Sequence, residues 1–237
     1  PRRNGLRVRA ILFDLDGTLL DLDLGGFLKR YFVALDEASA PLAAAHPPGE
    51  FMASLHAAVG RMMEPHPGET NEQTFYRELL ETTGVDLREH WPVYERFYRE
   101  GFPTLAGTSR PASGARAVVT TALDLGLKVA IATNPIFPRV AVEHRLSWAG
   151  LADLAFDAIT TYEEMLACKP HADYYRQTAA MIGVAPADCL MVGDDRALDM
   201  PAADVGMRTF YVGDDVLATA DLRGSLEELA ELLPRIV

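Results

Sequence analysis

One stretch near the start decides how the chain folds, and it reads AILFDLDGTLL from Ala10 to Leu20. The residues up to Phe13 are nearly all apolar, which predicts a strand buried on both faces of a parallel sheet. Asp14 ends the apolar run, and the glycine that follows shortly afterwards, Gly17, allows a sharp backbone turn. Polar groups at the carboxyl end of such a strand lie where open α/β sheets bind their ligands. The stretch therefore predicts both the sheet and the position of a site.

Two carboxylates, Asp14 and Asp16, stand at the predicted strand end. A strand followed by an ordinary polar turn is the simpler interpretation, but it does not explain two like charges at one strand tip. Such charges repel unless a cation joins them. Mg²⁺ is bound by carboxylate and carbonyl oxygens, so we expect Mg²⁺ at this place.

The composition describes a soluble globular protein. The chain has 237 residues and a formal net charge of -12, with 49% hydrophobic and 24% charged residues. This acidity argues against a nucleic-acid or anionic-membrane partner, because both need basic patches. No apolar run approaches the ~20 residues of a membrane span. Two cysteines without metal spacing, and a basic start (residues 1–5) with no apolar signal segment behind it, predict a cytoplasmic protein.

The pattern along the chain divides it into two parts. From Leu24 to Glu100 apolar residues recur at helical spacing without a strand signal, whereas strands and helices alternate in the second half. We therefore predict a parallel α/β core from residues 1–20 and 104–237, and an inserted helical domain from residues 21–103. Thr70 and Ser225 each begin a predicted capping box, and Pro41 is expected to break a helix.

Further polar side chains follow the other predicted strands. They are Thr133 after the strand at 127–132, Lys169 in the loop after 156–160, and Asp194, Asp195 and Asp199 after 189–192. Neighbouring strand ends of a parallel sheet bring such groups together beside Asp14. Acids for a metal, a hydroxyl and an ammonium are the parts needed to hold a phosphoryl group.

The segment DLDGTL, from Asp14 to Leu19, resembles the signature of the haloacid dehalogenase-like (HAD) superfamily, and specifically of its phosphatase branch. The later clusters match that family's order of a Ser/Thr motif, a lysine motif and an acidic motif. The resemblance covers roughly two-thirds of the chain. It implies a Rossmann-like parallel sheet with helices on both faces, and an inserted α-helical cap of the C1 type.

The resemblance also implies roles for the residues at the strand ends. Asp14 would attack phosphorus and form an aspartyl-phosphate. Asp16 would act as general acid and then as general base, and its backbone carbonyl would bind the metal. Thr133 and the backbone N–H of Asn134 would bind phosphate oxygens. Lys169 would neutralise charge on Asp14 and on the phosphate.

In the acidic motif, the resemblance assigns Asp194 to direct Mg²⁺ binding. Either Asp195 or Asp199 would bind the metal through water or orient the lysine. The alternative for these two acids is a solvated helix start, where acids are favourable in any case. Pro135 departs from the family pattern, which often has glycine there, and it lacks a backbone N–H donor.

The expected function is Mg²⁺-dependent hydrolysis of a small phosphomonoester by a monomer or homodimer. A phosphomutase uses the same motifs and remains an alternative, and a non-catalytic scaffold or regulator that keeps the fold is another. A dehalogenase lacks the acid two residues after the nucleophile, so Asp16 argues against it. The insert is expected to close over the strand ends as a lid. A rigid helical decoration packed elsewhere is the alternative.

Overall fold

The central element is a six-stranded parallel sheet. The computed structural model describes residues 8–107 and 109–237. The strands are β1 (Ala10–Phe13), β2 (Leu20–Asp21), β3 (Arg110–Pro111), β4 (Lys128–Ile131), β5 (Ala158–Ile159), β6 (Cys189–Gly193), β7 (Arg208–Tyr211) and β8 (Leu222–Arg223). Their order in the sheet is β5-β4-β1-β6-β7-β8, while β2 and β3 form a separate antiparallel pair.

Strand β1 lies in the middle of the sheet, between β4 and β6. Phe13 is level with Ile131 on one side and with Val192 on the other, so the three strands end together. The chain runs from β1 outward through β4 and β5 and then returns to β6 on the opposite side. Loops leaving β1 and its two neighbours therefore diverge at one edge, which is where such sheets hold ligands.

The helices lie on both faces of the sheet and in the insert. They are α1 (Leu24–Ala43), α2 (Glu50–Met63), α3 (Asn71–Thr83), α4 (Trp91–Arg96), α5 (Ala115–Asp124), α6 (Arg139–Trp148), α7 (Ala172–Met181) and α8 (Leu226–Ile236). A π-helical turn spans Phe97–Gly101, and 3₁₀ helices span Phe102–Ala106, Pro186–Asp188 and Met200–Val205.

Side chains alternate across the sheet, as the period of a strand requires. Ile11 and Phe13 pack with α5, α6 and α8 on one face, and Ala10 and Leu12 pack with α7 on the other. This double burial explains why β1 is apolar at every position. The predicted fold class, a parallel sheet covered on both faces with a helical insertion, is confirmed.

The insert has its own apolar cluster, rich in aromatic side chains. Phe27 and Phe102 pack there with the rings of Tyr31 and Phe137, the last of which comes from the core. The 3₁₀ helix at Phe102–Ala106 belongs to this packing. Helix α6 lies between the two clusters, because Ala141 packs with the insert while its neighbours on the other side pack under the sheet. The division at residues 20/21 and 103/104 remains a prediction, and its first seven residues and residue 108 lie outside the described residues.

Several local predictions are resolved by the structure. Both capping boxes are confirmed: the hydroxyls of Thr70 and Ser225 accept from the backbone N–H three residues later, and their own backbone N–H groups donate to the Gln73 and Glu228 side chains. The predicted break at Pro41 is wrong, because α1 continues through it to Ala43. The strands β2, β3 and β8 were not predicted, since two residues carry no periodicity. No helix within the described ranges is both long and apolar enough to cross a bilayer.

Candidate active site

Three carboxylates meet at the edge where β1 and β6 end. Asp14 follows β1 directly, and Asp194 follows β6 directly. Oxygen atoms of Asp14, Asp194 and Asp199 all lie within 4.8 Å of one another. The packing of β6 makes room for this, since a side chain on Gly193 would clash with the Asp199 carboxyl group. Acids that are far apart in sequence thus form one cluster.

Lys169 joins two of these acids. Its Nζ donates to Asp14 Oδ1 at 2.8 Å and to Asp199 Oδ1 at 2.6 Å, and the residue is only 1% exposed. Burial alone would lower the pKa of Lys169, but the two carboxylates raise it well above its ordinary value. The ammonium is therefore held charged in the interior. Its backbone N–H also donates to Asn134 Oδ1 at 3.1 Å, which ties the lysine loop to the loop after β4.

Asp194 is held from the first loop of the chain. Thr18 Oγ1 donates to Asp194 Oδ1 at 3.0 Å, and Gly17 has a φ of +91°, where any side chain would collide with the same carboxyl group. Burial, together with the nearby charge of Asp14, raises the pKa of Asp194 to about 6. Burial and the charge of Asp14 therefore make the ionised form of Asp194 unfavourable unless a cation is bound nearby.

The charges of this cluster fit a divalent metal. When all three carboxylates (Asp14, Asp194 and Asp199) are ionised, the one ammonium (Lys169) leaves two negative charges in a buried place. Uncompensated buried charge is costly. Carboxylate oxygens are the donors that hard divalent cations take. The residues present therefore fit such an ion.

Asp195 lies outside the cluster. Its side chain is exposed, and Oδ1 accepts the backbone N–H groups of Ala197 at 2.7 Å and Leu198 at 3.1 Å. Its own N–H donates to Asp199 Oδ2 at 3.0 Å. Of the two acids left open by the sequence, the structure brings Asp199 to the site and uses Asp195 to shape the turn.

Thr133 follows the end of β4, the strand next to β1. The residue before it, Ala132, donates its N–H to the Phe13 carbonyl at 2.7 Å, so the ends of β4 and β1 are locked together. The Thr133 carbonyl accepts hydrogen bonds from Thr160 Oγ1 at 2.7 Å and from the Tyr174 hydroxyl at 2.9 Å. These hydrogen bonds fix the backbone of Thr133, and the residue is buried at the same edge of the sheet as Asp14.

Asp16 has a partner that the sequence did not reveal. Arg145 on α6 is 1% exposed, and its Nη1 forms an ion pair with Asp16 Oδ2. Burial raises the pKa of Asp16, the guanidinium opposes that rise, and the charge of Asp14 adds to it. A signal for Arg145 did exist, because it falls in the buried stripe of α6 between Val142 and Leu146. Thr18 gave no comparable signal.

The insert is fastened to the loops that carry these residues. Asn71, at the start of α3, is fully buried, and its Nδ2 donates to the Pro135 carbonyl at 2.9 Å and to Cys168 Sγ at 3.2 Å. Its backbone N–H donates to the Met165 carbonyl at 2.8 Å. One residue of the insert therefore contacts the loop after Thr133 and the residue before Lys169.

A separate apolar cavity of about 70 Å³ lies between the insert helices and the loop at residues 136–138. Aromatic and aliphatic side chains line it, including Tyr31, Phe32, Trp91 and Phe137. The three clustered carboxylates are not among its lining residues. The cavity therefore belongs to the packing of the insert on the core and lies apart from the charged site.

The parallel sheet with acids, a lysine and a threonine at its strand ends defines an α/β enzyme of the Rossmann-like class. A family model for haloacid dehalogenase-like hydrolases matches residues 8–205, so the chain belongs to that family and is a hydrolase. The recognition based on DLDGTL is confirmed.

Named relatives agree with this assignment. A phosphoserine phosphatase of Thermus thermophilus is 32% identical over 95% of this chain and 100% of its own. A phosphoglycolate phosphatase of Neisseria meningitidis is 28% identical over 95% of this chain and 94% of its own. The solved structure of a HAD family hydrolase from Deinococcus radiodurans, with bound phosphate and sodium, shares the fold with a TM-score of 0.59 and 21% identity, covering 98% of this chain and 97% of that one.

Proposed function

We propose that this protein is a Mg²⁺-dependent phosphatase that hydrolyses a small phosphomonoester through an aspartyl-phosphate on Asp14. The observation that carries the proposal is the buried ammonium of Lys169 between Asp14 and Asp199, with Asp194 alongside. Such a site can receive a dianionic phosphoryl group only if positive charge is already fixed there. The phosphatase names of relatives that span the whole chain support the same reaction.

In the first step, the Asp14 carboxylate forms a bond to phosphorus while the bond from phosphorus to the ester oxygen breaks. Asp16 gives a proton to that oxygen, so the alcohol leaves uncharged. The raised pKa of Asp16 suits a group that must hold a proton before it gives it away. Lys169 keeps Asp14 oriented, since the ammonium binds one oxygen of its carboxylate.

In the second step, a water molecule attacks phosphorus and the bond to Asp14 breaks. Asp16 takes a proton from that water as it attacks, which returns the acid to its starting form. Thr133 and the backbone N–H of Asn134 hold phosphate oxygens at the end of β4 in both steps. The products are inorganic phosphate and the alcohol.

Asp14, Asp194 and the backbone carbonyl of Asp16 would hold Mg²⁺, with Asp199 acting mainly through its hydrogen bond to Lys169. When bound, the ion supplies positive charge that stabilises the charge on the transferring group. Asp195 has no role in this assignment, because its carboxylate is engaged in the turn that it shapes.

The decisive experiment measures phosphate release by the unaltered enzyme and by Asp14→Asn. The amide keeps the size of the carboxyl group but cannot attack phosphorus, so we expect a folded protein whose turnover falls by at least about a thousandfold. Asp173→Asn, an exposed acid at the start of α7, is the matched control and should keep full activity. Turnover by Asp14→Asn at the unaltered rate would rule out Asp14 as nucleophile.

The same assay separates hydrolysis from phosphoryl retention. In a screen of sugar phosphates, nucleotides and small phosphorylated acids, we expect the enzyme to release inorganic phosphate from a few small esters. A phosphomutase would instead isomerise a sugar phosphate and release almost none. We also propose that the helical insert, residues 21–103, bounds the space above the strand ends and so restricts the substrate to a small metabolite.

A further inference from the structure

Arg145 is a charged side chain placed in the interior next to the proposed acid–base group. Its residue is 1% exposed, and its guanidinium carbon lies 4.6 Å from the centre of the Phe137 ring. Nε donates to the Ala141 carbonyl at 3.3 Å, and Nη1 is paired with Asp16 Oδ2. Burying a guanidinium is costly unless it is paired in good geometry. The cost of burying this guanidinium suggests a role for Arg145 in addition to packing.

The two oxygens of the Asp16 carboxyl group have different surroundings. Oδ2 accepts from Arg145, whereas Oδ1 is also buried and has no hydrogen-bond partner among the residues the structure describes. A buried acceptor without a partner is destabilising, so native proteins keep few of them. In the proposed reaction this is the oxygen left over for the substrate.

The chemistry of the pair decides which oxygen handles the proton. A guanidinium has donors only, so the carboxyl oxygen that it binds must act as an acceptor. Protonation of Asp16 is then favoured on Oδ1, because a proton on Oδ2 would compete with the guanidinium for that oxygen. The single Nη1 contact tethers Oδ2 to α6, so the Asp16 side chain has fewer positions in which it can present Oδ1.

Arg145 is itself held by its surroundings. The face of the Phe137 ring supports the guanidinium, and α6 is packed between the sheet and the insert. A cation over an aromatic ring gains attraction in addition to packing. The arginine therefore has little freedom to follow a carboxyl group that rotates away.

We propose that Arg145 is a positioning residue that fixes Asp16 so that Oδ1 meets the ester oxygen of the substrate. This inference rests on the proposed function, in which Asp16 gives a proton to the leaving alcohol. Arg145 does not touch the reacting atoms. It acts by aligning the proton transfer that accompanies cleavage of the bond between phosphorus and oxygen.

The test compares two esters that differ in their need for that proton. The leaving group of an alkyl phosphate such as propyl phosphate is a strongly basic alkoxide unless it is protonated. The leaving group of p-nitrophenyl phosphate is a stable phenolate. The parameter to compare is kcat/KM, which reports the steps up to loss of the alcohol. The purified unaltered enzyme and its Arg145→Met and Arg145→Lys variants are assayed with Mg²⁺.

For Arg145→Met we expect kcat/KM on propyl phosphate to fall by about a hundredfold or more, the scale of general acid catalysis. On p-nitrophenyl phosphate the same variant should lose less than about tenfold, since protonation contributes little there. Arg145→Lys keeps the charge without the fork, so its loss on the alkyl ester should be intermediate. The Arg145→Lys variant also provides the test if the Arg145→Met variant does not fold.

The matched control is Arg139→Met, which removes an exposed arginine of the same helix that pairs with Glu143 on the surface. It should leave kcat/KM unchanged on both esters. Equal losses on the two esters in the Arg145 variants would indicate a merely structural arginine and overturn the inference alone. If the unaltered enzyme releases phosphate from neither these two esters nor any ester of the screen described above, the proposed function fails and the inference fails with it.

Discussion

The core and the insert are built on different physical principles. The core edge concentrates charge, with Asp14, Lys169 and Asp199 joined within hydrogen-bonding distance and almost completely buried. The insert is held by stacked and edge-on aromatic rings, and its buried hydroxyls bond one another, as Tyr31 does with Tyr98 at 3.0 Å.

This difference teaches where tolerance to change should lie. A buried ion pair that loses one partner leaves an uncompensated charge, which is strongly destabilising and alters the site directly. An aromatic cluster loses some packing or one hydrogen bond and keeps its shape. Changes at the core edge should therefore affect the chemistry, and changes inside the insert should affect mainly stability.

The largest effect is expected for Lys169→Met. Removing the ammonium leaves Asp14 and Asp199 without their shared donor, so kcat should fall by about a thousandfold, the scale seen when one preorganised donor is lost. Phosphate release at saturating substrate measures it. Lys128→Met, which removes a half-exposed lysine paired with Asp157 near the opposite end of β4, should stay near full activity. Comparable losses in both variants would contradict the special role of Lys169.

A smaller loss is expected where the insert meets the core. Asn71→Leu keeps the approximate size but removes the donor to Pro135 and Cys168, so both loops can shift. We expect kcat/KM to fall roughly tenfold to a hundredfold, as small misplacements of reacting groups do. Tyr76→Phe, which removes the 3.2 Å hydrogen bond to Tyr162 from the same helix, should change kcat/KM much less. If the two variants behave alike, Asn71 is only one docking contact among others.

The charge of the cluster gives a pH prediction for the metal-free protein. Because the pKa of Asp194 is raised to about 6, the stability that its carboxyl contributes is full below 3.8 and is lost as the pH rises through 6. Mg²⁺ should therefore raise the melting temperature more at pH 7.5 than at pH 5. Below pH 6 its apparent affinity should fall by up to about tenfold per pH unit, because a proton competes with the ion.

Thermal unfolding and Mg²⁺ titration at several pH values test this prediction. Asp194→Asn should reduce the pH dependence of the Mg²⁺ effect, and burial, which raises the pKa of Asp199 to about 7, accounts for the part that remains. Asp195→Asn, at the exposed turn, should preserve the full dependence. An equal Mg²⁺ effect at pH 5 and pH 7.5 in the unaltered protein would contradict the assignment of Asp194 as a ligand.

The smallest effect on the reaction is expected inside the insert. Tyr94→Phe removes a hydroxyl that is 3.0 Å from Ser39 Oγ, and it leaves the buried serine without that partner. The free energy of unfolding should fall by about 1–3 kcal/mol, while kcat/KM stays within about threefold. Denaturant unfolding and the phosphate assay measure the two quantities. A large loss of kcat/KM without loss of stability would break the distinction between core and insert.

Much of the core could be predicted from sequence because its polar residues stand at strand ends. Asp14, Thr133 and Asp194 each follow an apolar run, and parallel strands bring their ends to one edge whatever the loops do. Lys169 lies on a loop, and its place was predicted from the strand before that loop together with the order of the family motifs. The sequence could not separate Asp195 from Asp199, since the choice depends on how one turn folds.

Other contacts had no local pattern to reveal them, and the buried stripe of α6 indicates the burial of Arg145 but not its partner. Arg145 reaches Asp16 from a helix that is 129 positions away in sequence, so only the packing of α6 against the sheet brings the two together. The contacts of Asn71 likewise depend on how α3 docks on the core. Contacts between separate elements come from tertiary packing, which periodicity and strand-end position do not encode.

The short ribbon at the base of the insert has a consequence for how such a protein changes over generations. β2 and β3 pair antiparallel, with Leu20 opposite Pro111, and Asp21 forms an ion pair with Arg110. Residues 22–109 therefore connect two positions that the ribbon already holds next to each other, so the segment is equivalent to one long loop. Doubling the length of a flexible loop adds only about 0.6 kcal/mol to the entropy cost of closing it. A change in the length of this segment therefore adds little closure entropy, and its cost to the core is confined to the contacts that the segment makes there, such as those of Asn71.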